Sequence, residues 1–288
     1  MKRILALLSI SAILLTGCSF LADMQPASIS DFEIHYIDVG QADSALVICE
    51  GEAMLIDGGN VADSSLLVSY LEELGISHLD YMICTHAHED HVGGLSGPLN
   101  TCTVDFVMAP VTEYDSKAFG SFKKYTEAQG LEIYVPSADE SFSLGSSTVD
   151  ILAPRKEYDD ANNTSIVLKV TYENTSFLFT GDAERESEQD MIDAGCDLSA
   201  NVLKVGHHGS DSSTSYVFLR EVLPEYGIIS VGEGNSYGHP TEDTLSRLRD
   251  ADVKVYRTDM QGTVVCISDG THIAFRVEKN EDAVTNPT

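Results

Sequence analysis

Residues 85–94, which read THAHEDHVGG, restrict the fold and chemistry of this chain more than any other segment. They follow the apolar residues 79–84, which predict a buried strand. Four side chains that can bind metal stand within six positions at the end of this strand: His86, His88, Asp90 and His91. Without a cation, such a group at a strand end would need water or other partners. The spacing instead favours a metal centre, and the glycine pair at 93–94 is expected to allow a tight turn into a helix.

Strands and helices alternate along the rest of the chain. Apolar and alternating patterns predict strands over residues 32–39, 44–49, 53–56, 79–84, 104–108, 147–152, 165–171, 176–180, 201–205, 227–231, 253–256, 263–268 and 272–277. Helical spacing predicts helices over residues 62–74, 116–129, 183–194, 213–222 and 241–249. The strands fall into two halves of the chain. The sequence therefore predicts an α/β (α+β) fold with four layers, αββα, in which strand-end loops from both halves meet at one edge.

Two strand ends in the second half carry polar side chains that suit such an edge. The strand at residues 176–180 runs into a Gly-Asp pair ending at Asp182, and a carboxylate there can bridge two cations through its two oxygens. The strand at residues 201–205 runs into His207 and His208. We favour His208 as a metal ligand and His207 as a supporting or substrate-contacting residue, but the sequence leaves their order open.

One more histidine, His239, lies in a loop between a predicted strand and a predicted helix. Its imidazole suits contact with substrate or protonation of a leaving group. A structural role in the loop explains this histidine equally well.

The first 18 residues resemble a bacterial lipoprotein signal peptide. Lys2 and Arg3 precede an apolar run over residues 4–15, and residues 15–18 resemble a lipobox that ends in Cys18. An ordinary signal peptide with an incidental cysteine and an uncleaved anchor are the alternatives. We expect export in each case. The lipobox predicts in addition that lipidated Cys18 holds the protein at the outer face of the cytoplasmic membrane. The expected parts are then a signal peptide (1–18), a tether (19–31), a folded domain (32–278) and a flexible tail (279–288).

The formal net charge is −29, from 46 acidic and 17 basic residues. Proteins that hold a polynucleotide tightly usually carry a basic surface. Here only two short basic pairs are evident, at residues 123–124 and 155–156. We therefore expect no stable nucleic-acid complex. The charge does not exclude a small site with two cations, because the metals would supply local positive charge.

These segments resemble the metallo-β-lactamase fold superfamily, and within it the soluble hydrolase domain of ComEC-type competence (DNA-uptake) proteins. The resemblance extends from about residue 32 to residue 277, and it rests on residues 37–44, 55–59, 85–94, 180–182, 203–210, 237–240 and 256–259. Residues 41–43 read QAD where the family usually has Gln-Gly-Asp. The sequence has no multi-pass channel like that of ComEC proteins, so DNA translocation is not implied. Residues 162–165 read NNTS, where the superfamily usually supplies another histidine.

The resemblance implies two divalent ions, with zinc favoured by imidazole and carboxylate ligands and with manganese or iron as alternatives. The implied ligands are His86, His88, Asp90, His91, Asp182 and His208. The first two belong to one ion, Asp182 lies between the ions, and the other three bind the second ion. The first ion then relies on water as well and binds more weakly. Catalytic roles fall to Asp90 and His239, and roles in supporting the ligands or contacting substrate fall to Asp38, Gln41, Asp43, Asn163, Lys204 and His207.

The implied activity is hydrolysis by water that the metals activate near neutral pH. The resemblance favours a phosphodiesterase or nuclease, whereas the acidic charge favours a small phosphodiester over nucleic acid, and the choice stays open. Hydrolysis of another ester, a thioester or a lactam is an alternative. A surface lipoprotein with a vestigial site, acting only as a binding module, is a further alternative, but the intact ligand set argues against it.

Overall fold

The computed structural model describes residues 31–287, so Cys18, the predicted signal peptide and nearly all of the predicted tether lie outside the described residues. The strands are β1 (Phe32–Tyr36), β2 (Ala45–Cys49), β3 (Glu52–Ile56), β4 (His78–Ile83), β5 (Thr103–Met108), β6 (Ile133–Tyr134), β7 (Ser141–Leu144), β8 (Ser147–Ala153), β9 (Val167–Tyr172), β10 (Thr175–Phe179), β11 (Val202–Lys204), β12 (Tyr226–Ile229), β13 (Lys254–Arg257), β14 (Val264–Ser268) and β15 (Ile273–Val277).

The helices in this range are α1 (Ser64–Glu73), α2 (Glu89–Val92), α3 (Ser96–Thr101), α4 (Lys117–Ala128), α5 (Arg185–Asp193), α6 (Tyr216–Val222), α7 (Glu242–Asp250) and α8 (Thr258–Gln261). Short 3₁₀ segments occupy Val61–Asp63, Gly93–Leu95, Asn162–Thr164 and Gly206–Gly209. Among residues 31–287, no helix is both long enough and apolar enough to cross a membrane.

The strands form two mixed sheets. The first has the order β15-β14-β1-β2-β3-β4-β5-β6, and the second has the order β13-β12-β11-β10-β9-β8-β7. In the first sheet β3 to β6 run parallel, and in the second β10 to β13 run parallel. The other neighbouring strands are antiparallel; in β1, for example, Ile34 lies opposite Val47 of β2 and Cys266 of β14.

Three apolar layers hold the sheets and helices together. Between the two sheets, Phe32 stacks on Phe177 with ring centroids 5.0 Å apart, and Tyr36 stacks on Phe179 at 5.8 Å. Helices α1, α3 and α4 cover the outer face of the first sheet, whereas α5, α6 and α7 cover that of the second. Their fully or nearly fully buried side chains include Leu67, Leu99, Phe119, Met191, Phe218 and Leu248. The predicted four-layer αββα sandwich is confirmed.

The carboxyl ends of parallel strands from both sheets meet at one edge. The loop after β3 contacts the end of β4, because Asp57 N donates to Ile83 O at 2.8 Å. The loop after β4 contacts the second half of the chain, because Ile166 N donates to Thr85 O at 2.8 Å. Parallel strands concentrate their following loops in this way, so polar residues that are far apart in the sequence become neighbours.

The predicted strands and helices are all present, with bounds that differ by up to three residues. The sequence did not predict β6, β7 or the four-residue helices α2 and α8. Strand β6 has two residues, and β7 places exposed Ser141 and Ser143 beside partly or fully buried neighbours over only four positions. Such short segments carry no periodic pattern long enough to be distinguished from a loop.

The predicted flexible tail contains no helix or strand in the described structure, but part of it packs on the domain. Thr285 is buried, and its hydroxyl donates to Val255 O on β13. Arg249 Nη1 on α7 donates to Asn286 Oδ1 at 2.7 Å. The polar sequence of this segment gave no sign of these contacts, because both partners lie on elements that only the fold brings near it.

Candidate metal centre

The segment after β4 presents its four polar side chains in two steps. Strand β4 ends at Ile83, and a segment with bends at residues 85–88 then carries His86 and His88, of which His88 has an extended backbone. The single helical turn α2 follows and carries Asp90 and His91. The change from extended to helical backbone lets neighbouring side chains point in different directions.

The glycines after this segment are required for close packing and not for a turn. Gly93 has φ −59°, an ordinary helical value that any residue adopts. A Cβ at Gly94 would lie 1.9 Å from Gly58 O, and one at Gly93 would lie 2.4 Å from Val61 N. The expectation of a glycine-dependent turn is therefore wrong: the absent side chains allow the loop after β3 to approach the ligand segment.

Four side chains from three loops converge at the shared edge. Asp90, His91, Asp182 and His208 each place one ligand atom within 4.8 Å of those of the others. His91 Nε2 lies 3.3 Å from Asp182 Oδ1. His208 Nε2 lies 3.3 Å from Asp90 Oδ2. The structure thus brings together the three residues predicted for one ion and the carboxylate predicted to bridge.

The atoms that face one another in this cluster lack hydrogen bonds. His91 Nε2, His208 Nε2 and Asp182 Oδ1 are buried and have no hydrogen-bond partner among residues 31–287. Buried polar atoms in proteins are nearly always paired, so three unpaired atoms around one point indicate a missing ligand. Two imidazole nitrogens and two carboxylates form a donor set that suits zinc. The residues present therefore fit a divalent ion.

The other oxygen of Asp182 faces further imidazoles. Asp182 Oδ2 lies 3.8 Å from His86 Nε2 and 3.6 Å from His207 Nε2. His86 Nε2 lies 3.1 Å from His88 Nδ1. Asp182 Oδ2 also lies 3.8 Å from His208 Nε2. Oδ1 thus faces His91, whereas Oδ2 faces the other imidazoles. The sequence predicted His86 and His88 for this side, and the structure adds His207 to them.

The backbone separates His207 from His208. Both have positive φ, 49° and 53°, in the left-handed region that is unfavourable for residues other than glycine and that recurs at functional sites. His208 Nδ1 lies 3.0 Å from Ser230 O, which leaves Nε2 facing the cluster. His207 Nδ1 lies 3.2 Å from Glu184 Oε1. The structure thus places His208, the ligand favoured from the sequence, inside the cluster of four and His207 outside it.

Buried charge determines the electrostatics of the centre. Burial disfavours the charged form of Asp182, but His91 and His208 outweigh this effect and hold its pKa well below the usual range. Burial also opposes protonation of His208, but Asp182 and Asp43 raise its pKa to about 10. Burial, together with neighbouring His91, lowers the pKa of His86 well below the ordinary value. The carboxylates therefore favour positive charge in the cluster, which a metal cation can supply.

A buried ion pair lies behind His208. Asp43 and Lys204 are each only 4% exposed. Lys204 Nζ lies 2.7 Å from Asp43 Oδ2, and Asp43 Oδ1 lies 3.2 Å from His208 Nδ1. These contacts place Asp43 and Lys204 on the far side of a candidate ligand, where they orient its ring and do not face substrate.

Asp57 is a site residue that was not predicted from the sequence. It follows β3 in the left-handed conformation, and its Oδ2 lies 2.8 Å from His91 Nδ1. Thr85 donates to the same carboxylate, through its backbone N at 2.7 Å and its hydroxyl at 2.6 Å. The carboxylate is therefore fixed and in turn directs His91 Nε2 towards the cluster. The sequence signal that could have indicated this residue is the Asp-Gly-Gly turn directly after a strand.

Replacing Asp57 with asparagine should weaken metal binding although it removes no ligand atom. The Asp57→Asn amide keeps one oxygen to accept hydrogen bonds, so the His91 ring is less firmly oriented. We expect the affinity for zinc to fall by about 10- to 100-fold. Competition with a chromophoric chelator measures this affinity. Asp193→Asn, at an exposed aspartate on α5, should leave it unchanged; an unaltered affinity in Asp57→Asn would contradict the assignment of His91 as a ligand.

Asn163 and Asp38, which were predicted to support ligands or contact substrate, shape the backbone near the centre. Buried Asn163 accepts hydrogen bonds at Oδ1 from Glu184 N at 3.1 Å and Ser187 N at 3.3 Å, at the start of α5. Asp38 Oδ1 accepts from Gly40 N at 3.2 Å, in the turn after β1. Contact of either residue with substrate stays a prediction.

His239 lies beside the imidazoles of the centre. Its ring centroid is 5.7 Å from that of His207, and its Nδ1 is buried without a hydrogen-bond partner in the described residues. Burial, and then the neighbouring His207, lower the pKa of His239. The neutral form is therefore favoured near pH 7, which suits hydrogen bonding to substrate better than proton donation. Its predicted protonation of a leaving group stays a prediction.

Comparisons with known proteins agree with this geometry. The family model described as "Metallo-beta-lactamase superfamily" matches residues 37–233. ComE operon protein 3 of Bacillus subtilis (strain 168) is 30% identical over 280 residues, which cover 89% of this chain and 36% of that protein. Competence protein ComA of Neisseria gonorrhoeae is 32% identical over 229 residues, which cover 79% of this chain and 31% of that protein. The chain thus spans about a third of the length of these relatives.

A solved structure shares the fold. The metallo-beta-lactamase fold protein YhfI from Bacillus subtilis aligns with a TM-score of 0.55 and 13% identity, covering 85% of this chain and 100% of YhfI. The segment matched by the family model includes all six predicted metal ligands, and the resemblance to ComEC-type competence proteins is confirmed by the sequence relatives. The chain belongs to the metallo-β-lactamase superfamily.

Proposed function

We propose that this protein is a phosphodiesterase that uses two divalent metal ions, with zinc as the favoured metal. We also propose that it is exported and anchored to the membrane. Membership of the superfamily supports a metal-dependent hydrolase. The relative from Neisseria is named a competence protein, which favours a phosphodiester of the nucleic-acid type over a lactam or another ester. The length of those relatives is about three times that of the matched region, so the proposal concerns the hydrolase domain alone.

The observation that carries this proposal is the set of unpaired buried atoms at the centre. His91 Nε2, His208 Nε2 and Asp182 Oδ1 have no hydrogen-bond partner in the described structure, although burial makes such atoms costly. A binding module without metal has no need of them. An intact ligand cluster with unsatisfied donor and acceptor atoms supports a working metal site.

The chain's own residues hold the ligands and present one carboxylate to the substrate. When bound, the ions supply Lewis-acid chemistry, which activates water and polarises a phosphoryl oxygen. Ser165 Oγ accepts a hydrogen bond from Asp182 N at 3.1 Å and so holds the backbone that carries this carboxylate. The Asp90 side chain is 32% exposed, whereas that of Asp182 is 2% exposed. Asp90 is therefore the one of these two carboxylates that meets solvent, while its Oδ2 faces His208 Nε2 at 3.3 Å.

The charge distribution supports a substrate with few phosphate groups. The net charge is −29, and the lysine close to the centre, Lys204, is buried in its pair with Asp43. Long duplex DNA is held by many exposed cationic side chains, and this chain has few of them. We therefore expect small phosphodiesters and short single strands to be better substrates than duplex DNA.

Export and anchoring rest on residues 1–18 alone, which carry the lipobox-like segment. We propose that Cys18 is lipidated and becomes the mature N-terminus. Incorporation of labelled palmitate into the full chain, with recovery in the membrane fraction, should be lost in Cys18→Ala. Equal labelling of both proteins would contradict this part of the proposal.

The reaction is tested with the domain reconstituted separately with zinc, manganese or iron. The substrates are bis-p-nitrophenyl phosphate, single-stranded DNA, double-stranded DNA and a β-lactam. We expect phosphodiester cleavage that depends on metal and falls by at least about 100-fold in Asp90→Ala, because a candidate metal ligand is lost. Hydrolysis of the β-lactam alone, or no phosphodiester turnover with two ions bound, would contradict the proposed reaction. A protein that binds no metal would support the vestigial binding module.

A further inference from the structure

Residues 206–215, which we call the histidine loop, lie between β11 and α6 and carry His207 and His208. Three residues of this loop other than glycine have positive φ: 49° at His207, 53° at His208 and 52° at Thr214. Side chains disfavour this left-handed region, so such residues keep it only where their surroundings hold them there. The histidine loop therefore needs contacts from neighbouring elements to present His208 to the metal centre.

Buried Glu188 on α5 holds the end of the histidine loop. Its Oε1 accepts a hydrogen bond from Thr214 N, and its Oε2 accepts one from Ser215 N at 3.1 Å. Thr214 Oγ1 in turn accepts a hydrogen bond from Gly206 N at 3.1 Å, directly before His207. One carboxylate thus fixes the left-handed residue Thr214, and Thr214 ties the end of the loop back to its beginning.

A buried arginine on α7 holds the middle of the histidine loop. Arg247 Nη2 donates to Ser213 O at 3.0 Å and to Asp211 O at 3.3 Å. Burial raises the pKa of the Glu188 carboxyl, whereas the hydrogen bonds from Ser215 and the nearby charge of Arg247 offset part of this rise. The loop is therefore held by two buried side chains of opposite charge, which come from two different helices.

Helix α5 connects the histidine loop to the segment that carries Asp182. The helix begins three residues after Asp182 in the chain. Before the helix begins, Ala183 O accepts a hydrogen bond from Ser213 Oγ of the histidine loop at 2.9 Å. At the centre, His208 Nε2 lies 3.8 Å from Asp182 Oδ2. The contacts of Glu188 join these two ligand segments, so the position of His208 relative to Asp182 depends on them.

We propose that Glu188 is a positioning residue for the metal centre: it holds the histidine loop against α5 and thereby sets the position of His208 relative to Asp182. Glu188 is not a member of the ligand cluster. The inference rests on the metal centre of the proposed function, and it does not depend on which substrate is cleaved. A role in stability alone is the alternative, because the same carboxylate lies at the start of α6. Zinc binding distinguishes the two roles.

The test measures zinc affinity by competition with chromophoric chelators. Glu188→Ala leaves two backbone N–H groups of the loop without their acceptor. We expect the affinity of the tighter zinc site to fall by about 10- to 100-fold, the usual effect of losing a group that orients a ligand. Glu188→Gln keeps one accepting oxygen and should recover part of this loss. Gln129→Ala is the matched control: it removes three hydrogen bonds to residues 99, 102 and 104 in the other half of the fold and should leave zinc affinity unchanged.

A double-mutant cycle with His208→Ala separates positioning from stability. If Glu188 acts through His208, Glu188→Ala should cause no further loss of zinc affinity in a protein that already lacks this imidazole. Equal losses with and without His208, or unaltered affinity in Glu188→Ala, would overturn the proposal.

The absorption spectrum of the cobalt-loaded protein gives a second readout, because its d–d bands depend on the ligands and their geometry. Glu188→Ala should shift these bands, and Gln129→Ala should not; unshifted bands in Glu188→Ala would contradict the positioning role. Zinc binding without phosphodiester cleavage would overturn the proposed reaction alone, and the cycle would still decide the role of Glu188. An unaltered protein that binds no zinc would overturn both.

Discussion

Asp182→Asn should remove nearly all hydrolytic activity and at least one of the two metal ions. The carboxylate has one oxygen towards His91 and the other towards His86, so its loss affects both sides of the centre. An amide keeps the shape but has no charge to attract a cation, and its nitrogen is a poor ligand. We expect kcat/KM to fall by about 1,000-fold or more, because metal catalysis contributes several kcal/mol.

Elemental analysis after gel filtration measures the metal content of this variant, and steady-state kinetics measure its kcat/KM. The matched control is Asp105→Asn, because His78, Asp80 and Asp105 form another, exposed group that could hold a cation. Asp105→Asn should keep both the activity and the two functional ions. A loss of metal in Asp105→Asn but not in Asp182→Asn would show that the ions bind elsewhere.

Lys204→Met should destabilise the metal-free domain by about 3 kcal/mol, at the lower end of the usual cost of leaving one member of a buried ion pair without its partner. Asp43 would then keep its contact with His208 to offset part of the cost of its burial. Asp43→Asn leaves the buried lysine without its carboxylate and should lower the free energy of unfolding by a similar amount. The double variant removes both charges, so we expect it to be more stable than the sum of the two losses predicts.

Urea unfolding in the presence of a chelator measures these free energies. Lys156→Met is the control: its ammonium pairs with Glu186 at 2.9 Å and Asp190 at 2.8 Å, but the side chain is 46% exposed. Exposed pairs contribute little to stability, so this variant should unfold at nearly the same urea concentration as the unaltered domain. Equal losses in Lys204→Met and Lys156→Met, or strict additivity in the double variant, would show that the buried pair is not coupled as the geometry requires.

The ligand segment and the fold class were predictable because their signals are local. Residues 85–94 place four ligand side chains after an apolar run, and both features are visible without knowledge of the fold. Asp182 and His208 were predictable from a general property of parallel strands, whose following loops gather at one edge. The alternation of strands and helices in two halves predicted the αββα layers for the same reason: each element shows its buried face in its own sequence period.

Other parts of the site were decided only by tertiary structure. Which oxygen of Asp182 faces which imidazole, and the approach of His207 to that carboxylate, depend on the left-handed backbone at residues 207–208. The contact of Asp57 with His91 spans 34 positions, and that of Gln41 with Gly232 spans 191. The ligand types, the strand ends that carry them and the layered fold are predictable from local spacing and periodicity. The partners that orient those ligands are visible only in the folded protein, because hydrogen bonds between loops depend on distances that no local pattern encodes.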